Sequence, residues 1–195
     1  MLRWKTLRAA ALALAALAAA GAARAVEIGE DGLHKQPWFS YTFKDLREDI
    51  QTAREQGKRL VLFIEQRGCI YCKKMHEEVY SDPEIADFIA RNFMVVQINM
   101  FGDEEVTDLD GATLTEKEAV RRWGVLFTPT ALFMPDTPPE DGRNAAQAAV
   151  ATVPGAFGKG TTRDMYQWVL DKGYEGDEPF QRYHARMIEA RRKGQ

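Results

Sequence analysis

Leu60-Val61-Leu62-Phe63-Ile64-Glu65-Gln66-Arg67-Gly68-Cys69-Ile70-Tyr71-Cys72-Lys73 carries an apolar run, a turn and the only two cysteines of the 195-residue chain. Leu60 to Ile64 is flanked by charge and is short enough for a strand buried on both faces. The cysteine pair then opens a helix, because Gly68 breaks the strand and Lys73 to Tyr80 keeps a helical pattern. At a helix N-terminus the free N–H groups and the dipole favour negative charge. Cys69 is therefore expected to ionise readily and act as nucleophile. Cys72 lies one turn deeper on the same face, shielded until Cys69 forms a mixed disulfide that it can resolve. Two cysteines three residues apart close too small a loop to act as a scaffold staple, so the pair reads as chemistry. Lys73 and Lys74 are assigned no catalytic role.

Working outward, Phe93 to Ile98 and Thr130 to Met134 are further buried-strand runs, and Gln147 to Val153 is read as a last strand. Thr42 is the expected cap of a helix reaching Gln56, with Phe43, Leu46, Ile50 and Ala53 on one face and Gly57 as the stop. Ser81-Asp82-Pro83-Glu84 reads as a capping box opening another helix through Ile85, Phe88 and Ile89. Helices are also expected over Thr115–Trp123 and Thr161–Lys172. Strands alternating with helices predict an α/β fold whose central sheet is mixed but mainly parallel and flanked by helices. Gly102 to Gly111, rich in Asp and Glu, lacks calcium-loop spacing and is read as a solvated acidic loop. Phe180, Tyr183, Met187 and Ile188 mark one face of an appended C-terminal helix.

The N-terminus has a different character. Arg3, Lys5 and Arg8 precede an unbroken apolar run from Ala9 to Ala20, followed by Ala23-Arg24-Ala25. This is the pattern of a secretory signal peptide cleaved after Ala25, and the run is shorter than the roughly 18 apolar residues of a spanning helix. The expected organisation is a cleaved signal over 1–25 and one domain over 26–195. Within that domain the core covers about 42–172 and the helical extension 173–195. The expected location is the periplasm. With 26 basic against 29 acidic residues there is no broad cationic surface, which argues against nucleic acid as a partner.

Three landmarks together carry a family resemblance: the strand leading into Cys69-Ile70-Tyr71-Cys72, the Thr128-Pro129-Thr130 step, and Val153-Pro154-Gly155-Ala156 before the last core helix. From about Arg59 to Trp168 the chain resembles the thioredoxin superfamily. The resemblance implies a thioredoxin-like fold, a cis Pro129 opposite the cysteines, and pairing of the backbone before that proline with a bound substrate chain. Glu65 to Cys72, Asn99 to Glu104 and His34 to Phe39 further resemble the SoxW-type exported thioredoxins of bacterial sulfur-oxidation systems. That narrower resemblance implies a periplasmic reductant fed by a membrane thiol transporter of the DsbD/CcdA type. Its implied target is the sulfur-carrier complex of thiosulfate oxidation, and no cofactor is implied.

Departures from the thioredoxin pattern matter. Gly68 stands where a tryptophan is usual, and Ile70-Tyr71 replaces Gly-Pro between the cysteines. Phe63 occupies the place of the usual buried acid. Strand alternation puts Glu65 on the face of Phe63 and nearer the thiols, which makes Glu65 a candidate acid/base for Cys72, with a solvated strand-end glutamate as the competing reading. Ile70, Tyr71 and Thr128 are the candidate substrate contacts, Tyr71 as an exposed recognition residue. Two other functions stay open: a disulfide oxidase or isomerase of the same compartment, and a metal-binding module using Cys69, Cys72 and His76. The second shows only three ligands, and His76 is read there as a surface helix residue, like His184. Lys73 replaces the histidine that haem attachment would need.

Overall fold

The computed structural model describes residues 26–194, so the expected signal segment 1–25 lies outside the described residues. Two short strands, β1 (Glu27–Ile28) and β2 (His34–Lys35), form an antiparallel pair ahead of helix α1 (Leu46–Glu55). Strand β3 (Arg59–Glu65) leads to α2 (Ile70–Lys74), which runs on as a π-helical stretch over Met75–Tyr80. Then come α3 (Pro83–Asn92), β4 (Phe93–Asn99), the hairpin β5 (Glu105–Thr107) and β6 (Thr113–Thr115), and α4 (Glu116–Arg122). Strand β7 (Thr130–Phe133), α5 (Ala145–Ala148), β8 (Ala151–Pro154), α6 (Lys159–Leu170) and α7 (Phe180–Lys193) complete the chain. Among the described residues no helix is long and apolar enough to cross a membrane.

The four-stranded sheet runs in the order β4-β3-β7-β8, and β3 is buried along its whole length. Its alternate side chains serve two cores. Leu60, Leu62 and Ile64 pack with α1 and α4, while Val61 and Phe63 pack with Met75, Tyr80, Phe88 and Tyr166 on the other face. That two-sided burial is why the strand reads as a continuous apolar run rather than an alternating one. Glu65 ends the strand on the Val61/Phe63 face.

The sheet is mixed, but not mainly parallel. Only β3 with β4 is parallel, whereas β3 with β7 and β7 with β8 are antiparallel. Apolar runs report burial and say nothing about direction. The α2–α3 crossover permits the parallel pair, and the return through Gly124–Thr128 enters β7 from the other end.

Three local expectations are also corrected. Asp45, not Thr42, caps α1 by accepting from the N–H groups of Arg47 and Glu48, and Phe43 lies outside the helix, 96% exposed. Thr42 instead donates to Asp49 Oδ2 at 3.0 Å. Asp82 alone caps α3, accepting from Glu84 and Ile85, while Ser81 Oγ donates back to the Glu77 carbonyl. Asn144 and Gln147 form a reciprocal capping box, so the segment read as strand from Gln147 begins as α5, and β8 starts only at Ala151.

The acidic segment is not a solvated loop. It folds as the β5–β6 hairpin, and Asp108 is fully buried, accepting from the N–H groups of Leu109 and Ala145 (both 2.8 Å) and from Trp123 Nε1 (2.9 Å). Lys44 is paired with Glu104 and Glu116 below the same hairpin. At the other end of the fold, α7 docks on α6. Tyr183 is buried, and Asp164 takes His184 Nδ1 at 2.6 Å and Arg191 at 2.7 and 2.8 Å.

Candidate active site

Gly68 turns the chain from β3 into α2 with φ of +74°, a left-handed conformation that glycine adopts without a Cβ penalty. This local need accounts for a glycine where the thioredoxin pattern has tryptophan. Cys69 follows as the N-cap of α2 in an extended conformation, and its Sγ accepts from the Cys72 N–H at 3.0 Å. The cap position thus holds a sulfur where a serine or aspartate oxygen would ordinarily sit. Cys69 and Cys72 are joined in a disulfide with Cα atoms 5.2 Å apart. Cys69 keeps a 7% exposed edge and Cys72 has none. This asymmetry is the one a nucleophile and a resolving cysteine need.

Across from the disulfide, the Thr128–Pro129 peptide is cis. The Thr128 carbonyl oxygen lies 3.5 Å from Cys69 Sγ and the Thr128 hydroxyl 3.4 Å from it. The register places this loop beside the cysteines. Ile64 is opposite Thr130 on one side of the sheet, Thr130 is opposite Pro154, and Glu65 is opposite Asn99. The turns leaving these positions carry exposed apolar side chains. Ile70, Tyr71, Phe101, Leu126, Phe127 and Phe157 all emerge at this end of the sheet. A polypeptide reaching Cys69 would meet apolar surface on several sides.

Glu65 is not a solvated strand-end residue. It is fully buried, with Oε1 2.6 Å from His76 Nε2 and 2.9 Å from Gln97 Nε2. His76, expected at the surface, is likewise fully buried, because the π-helical turn after α2 faces β3 at that point. Its Nδ1 lies 3.2 Å from Gln36 Nε2. His184, also expected at the surface, is half-buried against Asp164. The ligand set Cys69, Cys72 and His76 is not assembled. The two sulfurs are bonded to each other and both nitrogens of His76 face Glu65 and Gln36. Among the described residues no group of three or more His, Cys, Asp or Glu is arranged to hold a metal ion.

Sequence reasoning missed His34, Gln36 and Gln97 as neighbours of this site. Gln97 gave one signal, a lone amide in the apolar run Phe93 to Ile98. The histidine contacts had none, since His34 and His76 meet only in the folded chain, stacked with ring centroids 5.3 Å apart. Burial pushes the His34 imidazole below its ordinary pKa.

Comparison with known proteins adds a family match. Residues 46–147 match the thioredoxin-like domain. No curated protein matches the chain. Among solved structures, a thioredoxin-fold protein from Helicobacter pylori is 18% identical with a TM-score of 0.49, covering 68% of this chain and 81% of its own. A thioredoxin from Thermus thermophilus is 22% identical with a TM-score of 0.49, covering 66% and 86%. The C-terminal domain of DsbD from Neisseria meningitidis, in its oxidised form, is 19% identical with a TM-score of 0.41, covering 63% and 90%.

Proposed function

The chain belongs to the thioredoxin-like domain family, and we propose that it is an exported thiol–disulfide oxidoreductase that reduces disulfides on periplasmic partner proteins. The observation that carries this reading is the Cys69–Cys72 disulfide at the start of α2, with its outer sulfur 3.5 Å from the carbonyl before a cis proline. In the reduced protein, Cys69 thiolate attacks a partner disulfide. One partner sulfur leaves as thiolate and a mixed disulfide forms. Cys72 then attacks Cys69 Sγ, the bond to the partner breaks, and the partner has gained two electrons while the protein holds its disulfide again. The donors available to the attacking thiolate are those of the helix start and the Thr128 hydroxyl.

Roles follow for the neighbouring residues. Pro129 shapes the loop that presents the Thr128 backbone to a substrate chain. Ile70 and Tyr71 supply apolar contact beside the thiols. Glu65 is the acid/base for Cys72. The leader 1–25 directs export and leaves the 26–195 domain in the periplasm, where a membrane thiol transporter of the DsbD/CcdA type returns electrons to it. The segments Glu65–Cys72, Asn99–Glu104 and His34–Phe39 favour a SoxW-type role, keeping the sulfur-carrier complex of thiosulfate oxidation free of unproductive disulfides.

Equilibrating the purified protein in defined thiol/disulfide buffers tests the direction of electron flow. A Cys69–Cys72 potential near the roughly −270 mV of thioredoxin is the expected result for a reductant. A value near the roughly −120 mV of the strong periplasmic oxidant would make the protein a disulfide donor instead.

A further inference from the structure

Away from the cysteines, α6 and α7 bring together a hydroxyl, an imidazole and a carboxylate. Thr161 and Asp164 stand one turn apart on α6, and His184 reaches both from α7. His184 Nδ1 is 2.6 Å from Asp164 Oδ2, and its Nε2 is 3.2 Å from Thr161 Oγ1. An ionised carboxylate only accepts, so Nδ1 carries the ring hydrogen, and in the neutral ring Nε2 accepts from the Thr161 hydroxyl. Asp164 is buried, while Thr161 and His184 are partly exposed. The Phe180 ring stacks on His184 with centroids 5.6 Å apart and planes 11° from parallel, which fixes the plane of the imidazole. A hydroxyl bonded to a base that a buried carboxylate orients is the arrangement of an activated nucleophile.

Two further features adjoin this chain of bonds. Thr161 is the third residue of α6, and Gly158 before the helix has no side chain to cap its first turn. The N–H groups of that turn are the donors a developing oxyanion would meet. A Cβ added at Gly158 would meet nothing within 4 Å, so the approach is open. Thr161 and Phe180 also line an apolar cavity of about 40 Å³, together with Val153, Gly155, Phe157 and Met165. That is far below the roughly 300–1,000 Å³ of ordinary small-molecule sites and suits an acetyl group. Docking of α7 does not require the Thr161 bond, because Tyr183 and the Arg191–Asp164 pair already hold the helix. We propose that Thr161, His184 and Asp164 form a second catalytic centre, independent of the cysteines, that hydrolyses esters of short acyl groups through an acyl-Thr161 intermediate.

Thr161 Oγ gives its proton to His184 Nε2 and bonds to the ester carbonyl carbon, whose π pair moves onto the carbonyl oxygen. The tetrahedral adduct collapses, and the bond from that carbon to the alcohol oxygen breaks. The alcohol leaves with the electron pair and takes the proton from Nε2, while the acyl group stays on Thr161. Water then gives a proton to Nε2 and attacks the acyl carbon. Thr161 Oγ leaves and recovers the proton, and the carboxylic acid is released. Nothing is oxidised or reduced, so the cysteines take no part. Asp164 acts through His184 as a positioning residue. Arg191, bonded to both Asp164 oxygens at 2.7 and 2.8 Å, offsets part of the charge that stabilises an imidazolium, so turnover is expected to be slow.

The test uses the disulfide form, which has no free thiol, with nitrophenyl acetate as the probe. The wild type is expected to release nitrophenolate over many turnovers and, after an acid quench, to carry acetyl on the peptide that holds Thr161. Thr161→Val and His184→Gln are each expected to slow the release about a hundredfold or more. Thr161→Ser keeps the hydroxyl and should match or exceed the wild-type rate. Asp164→Asn should lower kcat at unchanged KM, a split that a purely structural role would not produce. The octanoate ester should be a poor substrate, because the cavity holds only a short acyl group. Thr161→Val must keep the wild-type rate of disulfide exchange at Cys69, which shows that the variant is folded. Nitrophenolate release at the wild-type rate in Thr161→Val, acetyl found on lysines alone, or a wild type no faster than buffer would each overturn the proposal and leave the oxidoreductase reading untouched.

Discussion

His76 Nε2 and Glu65 Oε1 stand 2.6 Å apart across the interior, and neither side chain has any solvent exposure. Removing one member of such a pair strands the other. In His76→Ala the Glu65 carboxylate keeps only the Gln97 donor, and the imidazole leaves a void against Phe63 and Tyr80. The expected loss is about 3–5 kcal/mol in urea unfolding. Glu65→Gln, which retains an acceptor oxygen and the side-chain volume, should lose clearly less.

Gly68→Ala isolates a backbone effect. At φ of +74° an added Cβ meets nothing within 4 Å, so the cost is conformational rather than steric. A loss of about 1–2 kcal/mol is expected from the shift in denaturation midpoint. A neutral result would mean that the turn into Cys69 relaxes without strain.

Asp49 gives stability a pH dependence of its own. Burial, opposed by the Thr42 hydrogen bond and reinforced by Asp45 and Glu48, pushes its carboxyl up from 3.8 to about 6. The folded state therefore binds the proton more tightly than the unfolded chain does. Below the unfolded value both states are protonated and the group contributes nothing. As pH rises through the folded value, ionisation costs stability. Asp49→Asn is expected to stabilise the protein by on the order of 1–2 kcal/mol at pH 7 and to lose that advantage at pH 4. Thermal unfolding of the two proteins at both pH values checks the sign.

Tyr71 is 59% exposed beside a disulfide whose own edge is small, which suits it to touching a partner rather than the thiols. Tyr71→Ala should slow exchange with a protein disulfide several-fold while leaving exchange with a small aliphatic disulfide near the wild-type rate. Equal slowing of both would place its effect on the cysteines themselves.

Much of this molecule was readable from local pattern. Leu60–Ile64, Phe93–Ile98 and Thr130–Met134 are buried strands because unbroken apolar runs of that length have few other ways to hide from water. The Cys69-Ile70-Tyr71-Cys72 spacing puts both sulfurs at one helix start, a matter of a single turn of backbone. What stayed hidden was direction and partnership. Apolar runs carry no direction, so the mainly parallel sheet expected from them fails at the antiparallel β7 and β8, and Thr42, being capable of capping, masked Asp45.

Local pattern sets the position of the cysteine pair, the strand that delivers it and the helix it opens, since these depend on contacts between residues a few places apart. Long-range packing is what buries Glu65 rather than leaving it solvated, and what makes its neighbours His76, eleven residues on, and Gln97, thirty-two residues on. A polar side chain at a strand end has no intrinsic preference for the interior. Burial becomes tolerable only once distant donors arrive to bond it, and here the crossing of β2, β3, β4 and the active-site helix brings them together.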